Sequence, residues 1–454
     1  MAFECLLVST NRVVTPFPVY PLGVAHLLGA LAEAGYQSFH YDLLAEGGLG
    51  GLAEMIEFCK PGLIGLSIRN LDTVDSTAPE AFMEGVLETV AFIRRHSKVP
   101  LVLGGPAFSI MPEIIMDLLQ ADYGIVGEGE KLLPWLAAEL SAGRKPSQKI
   151  LRSKPAETIW HKVVYDQKIA DHYLAWGGML NIQTKRGCPY RCSYCSYPVL
   201  EGKAYRFREP QEVAAEVMRV GAEYGAKCIF FTDSVFNDRQ GHYLEVAEAL
   251  VRAGNQTPWC AYFRPQNLTA ADLRLMKRAG LAAMELGTDG GCNTTLAGLQ
   301  KDFTFDDVLR VNELAAEQDL ACAHFLIFGG PDETRKTLAE GLANIEKLKN
   351  SVVFAFTGIR VLPGTAMHQR AIEDGVLSAE QSLLEPFFYF SPHIDEQEID
   401  LTIRQAWRGK FDRIYPPAAL QGRVTLMHSK GHVGPLWDML ISRRQKYDGV
   451  VNIT

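Results

Sequence analysis

The sequence predicts an α/β protein, with an N-terminal doubly wound (Rossmann-like) parallel sheet, then a partial (β/α)6 TIM-like barrel and a small C-terminal region. Three observations predict it. Short apolar runs alternate with amphipathic helical stretches over most of the chain, which implies right-handed crossovers and parallel sheets covered on both faces. The alternation comes as two series separated by a polar stretch with two prolines. At 454 residues the chain also exceeds the length at which one core usually stops growing, so more than one domain is expected.

The first series opens with FECLLVST and continues into YPLGVAHLLGALAEAGY, whose apolar residues recur at helical spacing and end on Gly35. QSFHYDLL, LIGLSIRN, the helical PEAFMEGVLETVAFIRRH, PLVLGGPA and YGIVGEGE follow. In such sheets ligands lie beyond the carboxyl ends of the strands. Three ends here are short of side chains or unusually polar: Ser67-Ile68-Arg69, Gly104-Gly105-Pro106 and Gly127-Glu128-Gly129. This series defines an expected domain over 1–145, and 146–179 reads as a linker. The second series, over 180–380, has six units: LNIQTKR, KCIFFTD, TPWCAYFRP, AAMELGTD, ACAHFLIFGG and VVFAFTGIRV, each followed by a helical stretch. Eight would close a barrel, so six suggest one that stays open on one side. From 381 to 454 the pattern is lost, and this part is read as a substrate or capping region. Its aromatic run Phe387-Phe388-Tyr389-Phe390 would cover the open edge or line a substrate pocket.

Hydrophobic residues make up 47% and charged residues 22%, enough apolar material for true cores. The net charge of -8 and the absence of a long basic run argue against nucleic acid as a partner, because nonspecific binding depends on neutralising phosphates. No apolar run approaches the roughly 20 residues of a membrane span, and MAFECLLVSTNR lacks a basic leader, so a cytoplasmic location is expected. Six of the nine cysteines (Cys5, Cys59, Cys228, Cys260, Cys292, Cys322) stand singly, mostly in strand-like runs, and read as small core residues.

The other three, Cys188, Cys192 and Cys195, fall within RGCPYRCSYCSYP, directly after the first strand of the second series. That is the end at which barrel active sites sit. Three thiolates suit an iron–sulfur cluster with one open iron, since such clusters normally take four. A zinc site is an alternative, although structural zinc also takes four ligands and no second CxxC exists. A redox dithiol on Cys192 and Cys195 is another.

Cys188-x-x-x-Cys192-x-Tyr194-Cys195 is the CxxxCxφC pattern, and across the whole second series the chain resembles the radical S-adenosylmethionine (SAM) enzymes. The resemblance implies a 4Fe-4S cluster on Cys188, Cys192 and Cys195. Its open iron would chelate the amine and carboxylate of SAM, and an electron from it would split the sulfonium to give a 5′-deoxyadenosyl radical. Tyr194 would lie beside the cluster near adenine. Asp233, at a strand end without the family's GGE, would face the methionyl ammonium, and Arg264 would pair with the SAM carboxylate. Met284 to Asp289 is similar to the GIESGSD stretch, which places Glu285 and Gly287 at SAM ribose and methionine, with Leu286 where the pattern has serine. FLIFGGPDET is similar to FIxGxPGET, with Ile327 flanking adenine, and Leu362-Pro363-Gly364-Thr365 matches the closing PGT. Read as residues alone, Asp233 also suits a helix cap, Arg264 an ion pair and Tyr194 core filling.

In the first series Tyr20-Pro21-Leu22-Gly23, Gly104-Gly105-Pro106 and Gly127-Glu128-Gly129 look like the cobalamin-binding domain that precedes the barrel in one large subclass. Glycines there would let a flat macrocycle approach the backbone, and Glu128 would cap the next helix or accept from a corrin amide. No GxGxxG follows the first strand, and no DxHxxG supplies an axial histidine. Ser67 or Arg69 would then face the lower side of cobalt, and Arg69 could not ligate it, because guanidinium has no lone pair to donate. An interdomain salt bridge is the plainer role for Arg69. The resemblance implies a cobalamin-dependent methyltransferase acting on a carbon or another poorly nucleophilic atom through methylcobalamin, with SAM regenerating the methyl group. Cyclisation, rearrangement or dehydrogenation with the same cofactors is the alternative, and a non-catalytic iron–sulfur electron carrier is a reading of another class. The implied partners are a small-molecule or peptide substrate and an electron donor such as a flavodoxin or ferredoxin.

Overall fold

Short apolar runs, too short for helices, form the main strands of both sheets, and most of their residues are buried. The computed structural model describes residues 3–14, 17–154 and 160–441. In the first domain β1 (Cys5–Ser9), β2 (Ser38–Asp42), β3 (Leu63–Ser67), β4 (Leu101–Gly104), β5 (Tyr123–Val126) and β6 (Ile150–Arg152) form one parallel sheet in the order β2-β1-β3-β4-β5-β6. The chain leaves β1 to one side for β2 and returns to the other for β3. A crevice therefore opens beyond the ends of β1 and β3, where open α/β sheets bind ligands. The sheet also takes β6 from the stretch read as linker. Three strand residues in a polar segment are too few to show periodicity.

After β7 (Met179–Ile182), a two-residue ribbon pairs β8 (Lys185–Arg186) with β9 (Arg206–Phe207). Then follow β10 (Cys228–Phe231), β11 (Trp259–Phe263), β12 (Leu281–Asp289), β13 (Ala321–Phe328) and β14 (Ser351–Thr357). Another short pair joins β15 (Ile359–Arg360) to β16 (Phe388–Tyr389), and β17 (Arg413–Ile414) comes last. The second sheet is parallel in the order β17-β14-β13-β12-β11-β10-β7. Its first six strands in sequence are the expected units. The seventh, β17, comes from the C-terminal region and covers the edge of β14. Thr269, Thr304 and Thr334 each accept a backbone N–H three residues on, starting the helices Ala270–Arg278, Phe305–Glu317 and Arg335–Ile345.

Successive residues of these strands face opposite ways. Ile229, Phe231, Trp259, Ala261, Phe263, Met284 and Leu286 pack outward under the helices, whereas Cys228, Phe230, Cys260, Ala283, Ala323 and Phe354 share an inner core. The floor of that lumen is closed from both ends of the chain. Trp437 of the helix Trp437–Leu440 meets the Phe354 ring edge-on at 5.3 Å, and Phe17, from the segment after β1, meets Phe230 at 6.2 Å.

The two domains are joined by polar contacts as well as by apolar packing. Asn181 Nδ2 donates to the Tyr20 carbonyl at 3.2 Å, Tyr173 donates to the Asp42 carboxylate at 3.3 Å, and Arg360 forms a buried ion pair with Asp72 at 2.6 Å. Among the described residues no helix is long and apolar enough to cross a membrane.

Candidate active site

The carboxyl ends of the two sheets share one cavity of about 590 Å3. Leu22, Gly23, Ser67, Arg69, Gly104, Gly105, Pro106, Gly127, Glu128 and Gly129 all line it from the first domain. Asn181, Gln183, Thr232, Tyr197 and Leu362 line it from the second. The turn residues singled out in the sequence are thus brought together around one space, and Leu362, of the closing PGT stretch, joins them.

The glycines there serve two purposes. Gly105 has φ +93°, and a Cβ on it would stand 2.5 Å from the Ile68 carbonyl oxygen; Gly127 has φ +80°, and its Cβ would stand 2.3 Å from Ser153 Oγ. Both are therefore required by the chain itself rather than by a ligand. A Cβ on Gly23 would meet nothing within 4 Å, so its backbone is left open. Arg69 borders the cavity and donates from Nη1 to the Val19 carbonyl at 3.2 Å. The structure thus gives it a backbone partner where the plainer reading had a salt bridge. Glu128, expected to cap a helix or meet a corrin amide, borders the cavity and forms ion pairs with Arg186 at 3.0 Å and with Arg206. Arg186 also pairs with Glu130 at 2.6 Å and lies over the Trp160 ring at 4.7 Å. These charges pin the first domain to the ribbon that leads into Cys188.

The cysteine loop is built on that ribbon. Asp233 Oδ1 accepts from the Thr184 N–H at 2.7 Å and from the Lys185 N–H at 3.3 Å, and Oδ2 accepts the Thr184 hydroxyl at 2.5 Å. Asp233 is fully buried, and both of its oxygens are engaged in tying the end of β7 to the end of β10. The N–H of Cys188 donates to Gly202 O at 3.0 Å, that of Cys195 to Cys192 O at 3.1 Å, and that of Ser193 to Leu299 O at 3.0 Å. All three thiols are free. Burial raises Cys188 and pushes Cys195 up to about 12, so thiolates persist here only with cations to hold them.

Two cations stand against the loop. Arg264 Nη1 donates to Cys192 Sγ at 3.8 Å, its guanidinium lies 3.7 Å from the centre of the Tyr190 ring, and Asp302 holds it by an ion pair. Burial alone would depress Lys301, but the Asp289 carboxylate paired with it carries the ammonium above its ordinary range. Tyr194 donates to Asp289 Oδ2 at 2.6 Å and accepts from Lys301 at 3.3 Å. Three sulfurs in a single loop under two cations fit an anionic iron–sulfur cluster. Cys188, Cys192 and Cys195 would hold it. The cavity, bordered by backbone at Gly23 and by polar side chains on both faces, fits a large flat corrin. Ile327 is partly buried against the first domain's core, and Gly287 is a half-open position on β12. Glu285 lies deeper in the lumen, accepting from Trp437 Nε1 at 3.1 Å. Arg186, Lys301 and Trp437 escaped the sequence reading, since lone residues distant in the chain carry no motif.

Residues 8–137 match the B12 binding domain and residues 182–343 the Radical SAM superfamily. The chain therefore joins a cobalamin-binding domain to a radical SAM domain, the combination that defines cobalamin-dependent radical SAM enzymes. It is 24% identical to the tryptophan 2-C-methyltransferase of Streptomyces laurentii, over 82% of this chain and 75% of that one. The structure of the radical SAM methyltransferase TsrM from Kitasatospora setae, with cobalamin and a [4Fe-4S] cluster bound, has the same fold, with a TM-score of 0.84 at 24% identity over 98% of each chain. The same enzyme with tryptophan substrate and the SAM analog aza-SAM gives 0.85 at 23% identity over 99% of each.

Proposed function

We propose that the protein is a cobalamin-dependent radical SAM methyltransferase that methylates a carbon or another poorly nucleophilic atom of a small molecule. The observation that carries this reading is the single cavity lined by the strand ends of both domains, immediately beside the cysteine loop. When bound, cobalamin supplies a methyl carrier, and the cluster supplies a seat for SAM and a path for electrons. The residues of the chain set the stage for that exchange. Arg69 fixes a positive charge on the cavity wall and, having no lone pair to donate, could not ligate a metal held beside it. Arg186, Glu128 and Glu130 hold the two domains in register, so that the distance from the cavity to the cysteine loop is set by buried ion pairs. Arg264 and Lys301 place positive charge beside the sulfurs. Reduction would come from a small carrier such as a flavodoxin or ferredoxin.

Tryptophan, the substrate of TsrM, is the acceptor to test first. Anaerobically reconstituted protein, incubated with reductant, acceptor and SAM labelled in its methyl group, is expected to release a methylated product that carries the label. Turnover of SAM to 5′-deoxyadenosine, with an acceptor altered but unlabelled, would contradict methyl transfer and support cyclisation, rearrangement or dehydrogenation.

A further inference from the structure

Among the described residues Glu285 has one hydrogen bond and no cation. It lies on the inner face of β12 and is 2% exposed. Its Oε1 accepts from Trp437 Nε1 at 3.1 Å, and no second bond or ion pair reaches it among the described residues. A buried carboxylate so poorly partnered is unfavourable for folding, and an apolar residue of the same size would serve stability better. Such groups require a reason.

The surroundings suggest one. On the neighbouring strands Tyr262 stands beside Glu285 and Ala323 faces it across β13. Tyr262 is 38% exposed although its strand neighbours are buried, so space is left around its ring on the strand beside Glu285. Phe230 meets Tyr262 edge-on at 5.2 Å, and Trp437 forms the floor. Ring faces carry negative potential, which favours a cation or the edge of an N–H over a carbonyl oxygen. Depth matters too. Asp289, which touches Tyr194 of the cysteine loop, lies four residues further along β12, across an irregularity that matches these four to three residues of β13, or about 10 Å at the usual rise of a strand. Glu285 is thus well below the level of that loop.

We propose that Glu285 is a recognition residue for the acceptor substrate, accepting a hydrogen bond from an amine or ring N–H of a flat aromatic molecule that enters the barrel lumen beneath the cobalamin cavity. This rests on the methyltransferase reading and adds the substrate class to it. It also moves Glu285 away from the SAM contact that the GIESGSD-like stretch implies. Burial pushes its carboxyl up to about 8, so a donor that settles on it restores the missing partner and displaces a proton.

The test is anaerobic titration calorimetry on the reconstituted holoenzyme with three probes: tryptamine, indole, and benzofuran as the isostere without an N–H. The wild type is expected to bind tryptamine and indole at least tenfold more tightly than benzofuran. Glu285→Gln keeps an acceptor for Trp437 but turns an amide NH2 toward the open space, and is expected to erase that preference while SAM and cobalamin affinities stay within twofold. Equal binding of benzofuran, a preference that survives in E285Q, binding of none of the probes, or a parallel loss of SAM affinity would each overturn the assignment. Failure of the methyltransferase reading is seen separately, as wild-type protein that alters its acceptor without transferring the methyl label.

Discussion

Cys188 sets the chemistry of the whole site, because it fixes how many sulfurs the loop can offer. With Cys188, Cys192 and Cys195 all engaged, Cys188→Ala is expected to abolish cluster assembly and SAM turnover together, read as iron content and 5′-deoxyadenosine formation. A dithiol mechanism on Cys192 and Cys195 predicts activity that survives this change. Glu285 makes a second prediction at the same scale. Its carboxyl ionises near 4.5 when unfolded but near 8 when folded, so between those values the unfolded state has lost a proton that the native state keeps. Stability therefore falls as pH rises through that window and levels off above it. Each unit of displacement is worth about 1.4 kcal/mol. Tyr262 and Cys260 face the same carboxylate, and both are held protonated throughout the window. Glu285→Gln removes the effect, so its thermal midpoint relative to wild type is expected to climb from pH 5 to pH 8. An unchanged difference would mean that Glu285 is ionised or solvated in the native protein. Cys188 was legible from spacing; the Trp437 bond was not, since its partners stand 152 positions apart.

Among the elements, the ribbon of β8 and β9 has the most to hold. Arg186 carries two buried ion pairs across the domain boundary and stands two residues before Cys188. Removing one partner of a buried pair leaves the other charge stranded, at about 3–5 kcal/mol. Arg186→Ala is expected to lower the thermal midpoint and to reduce cobalamin retention, both measured on the reconstituted protein; normal retention would mean that the corrin does not depend on domain register. Elements were legible in the sequence in proportion to their length. The strands β1, β3 and β10 to β14 have enough apolar residues to declare themselves, as do the helices capped by Thr269, Thr304 and Thr334. Two- and three-residue strands such as β6 and β17 exist only because a sheet edge is waiting for them. The polar turns after β3, β4 and β5 were readable because their chemistry is in the backbone, whereas the partners of Glu128 and Asp233 were not, being supplied by the other domain and by a neighbouring strand.

At the scale of the molecule, two parallel sheets present their carboxyl ends to one cavity, and the cysteine loop lies beside it. Each sheet brings its ligands to the same side by the rule of its own fold. The N-terminal Phe17 and the C-terminal Trp437 then close the lumen that both domains would otherwise leave open. The central claim is that one chain holds a corrin and an open iron–sulfur cluster together. The most direct test is metal, sulfide and corrin quantification after anaerobic reconstitution. About four irons, four sulfides and one corrin per chain are predicted, with the iron and sulfide lost in the Cys188→Ala protein. Zinc in place of iron, or a cluster without retained corrin, would contradict it.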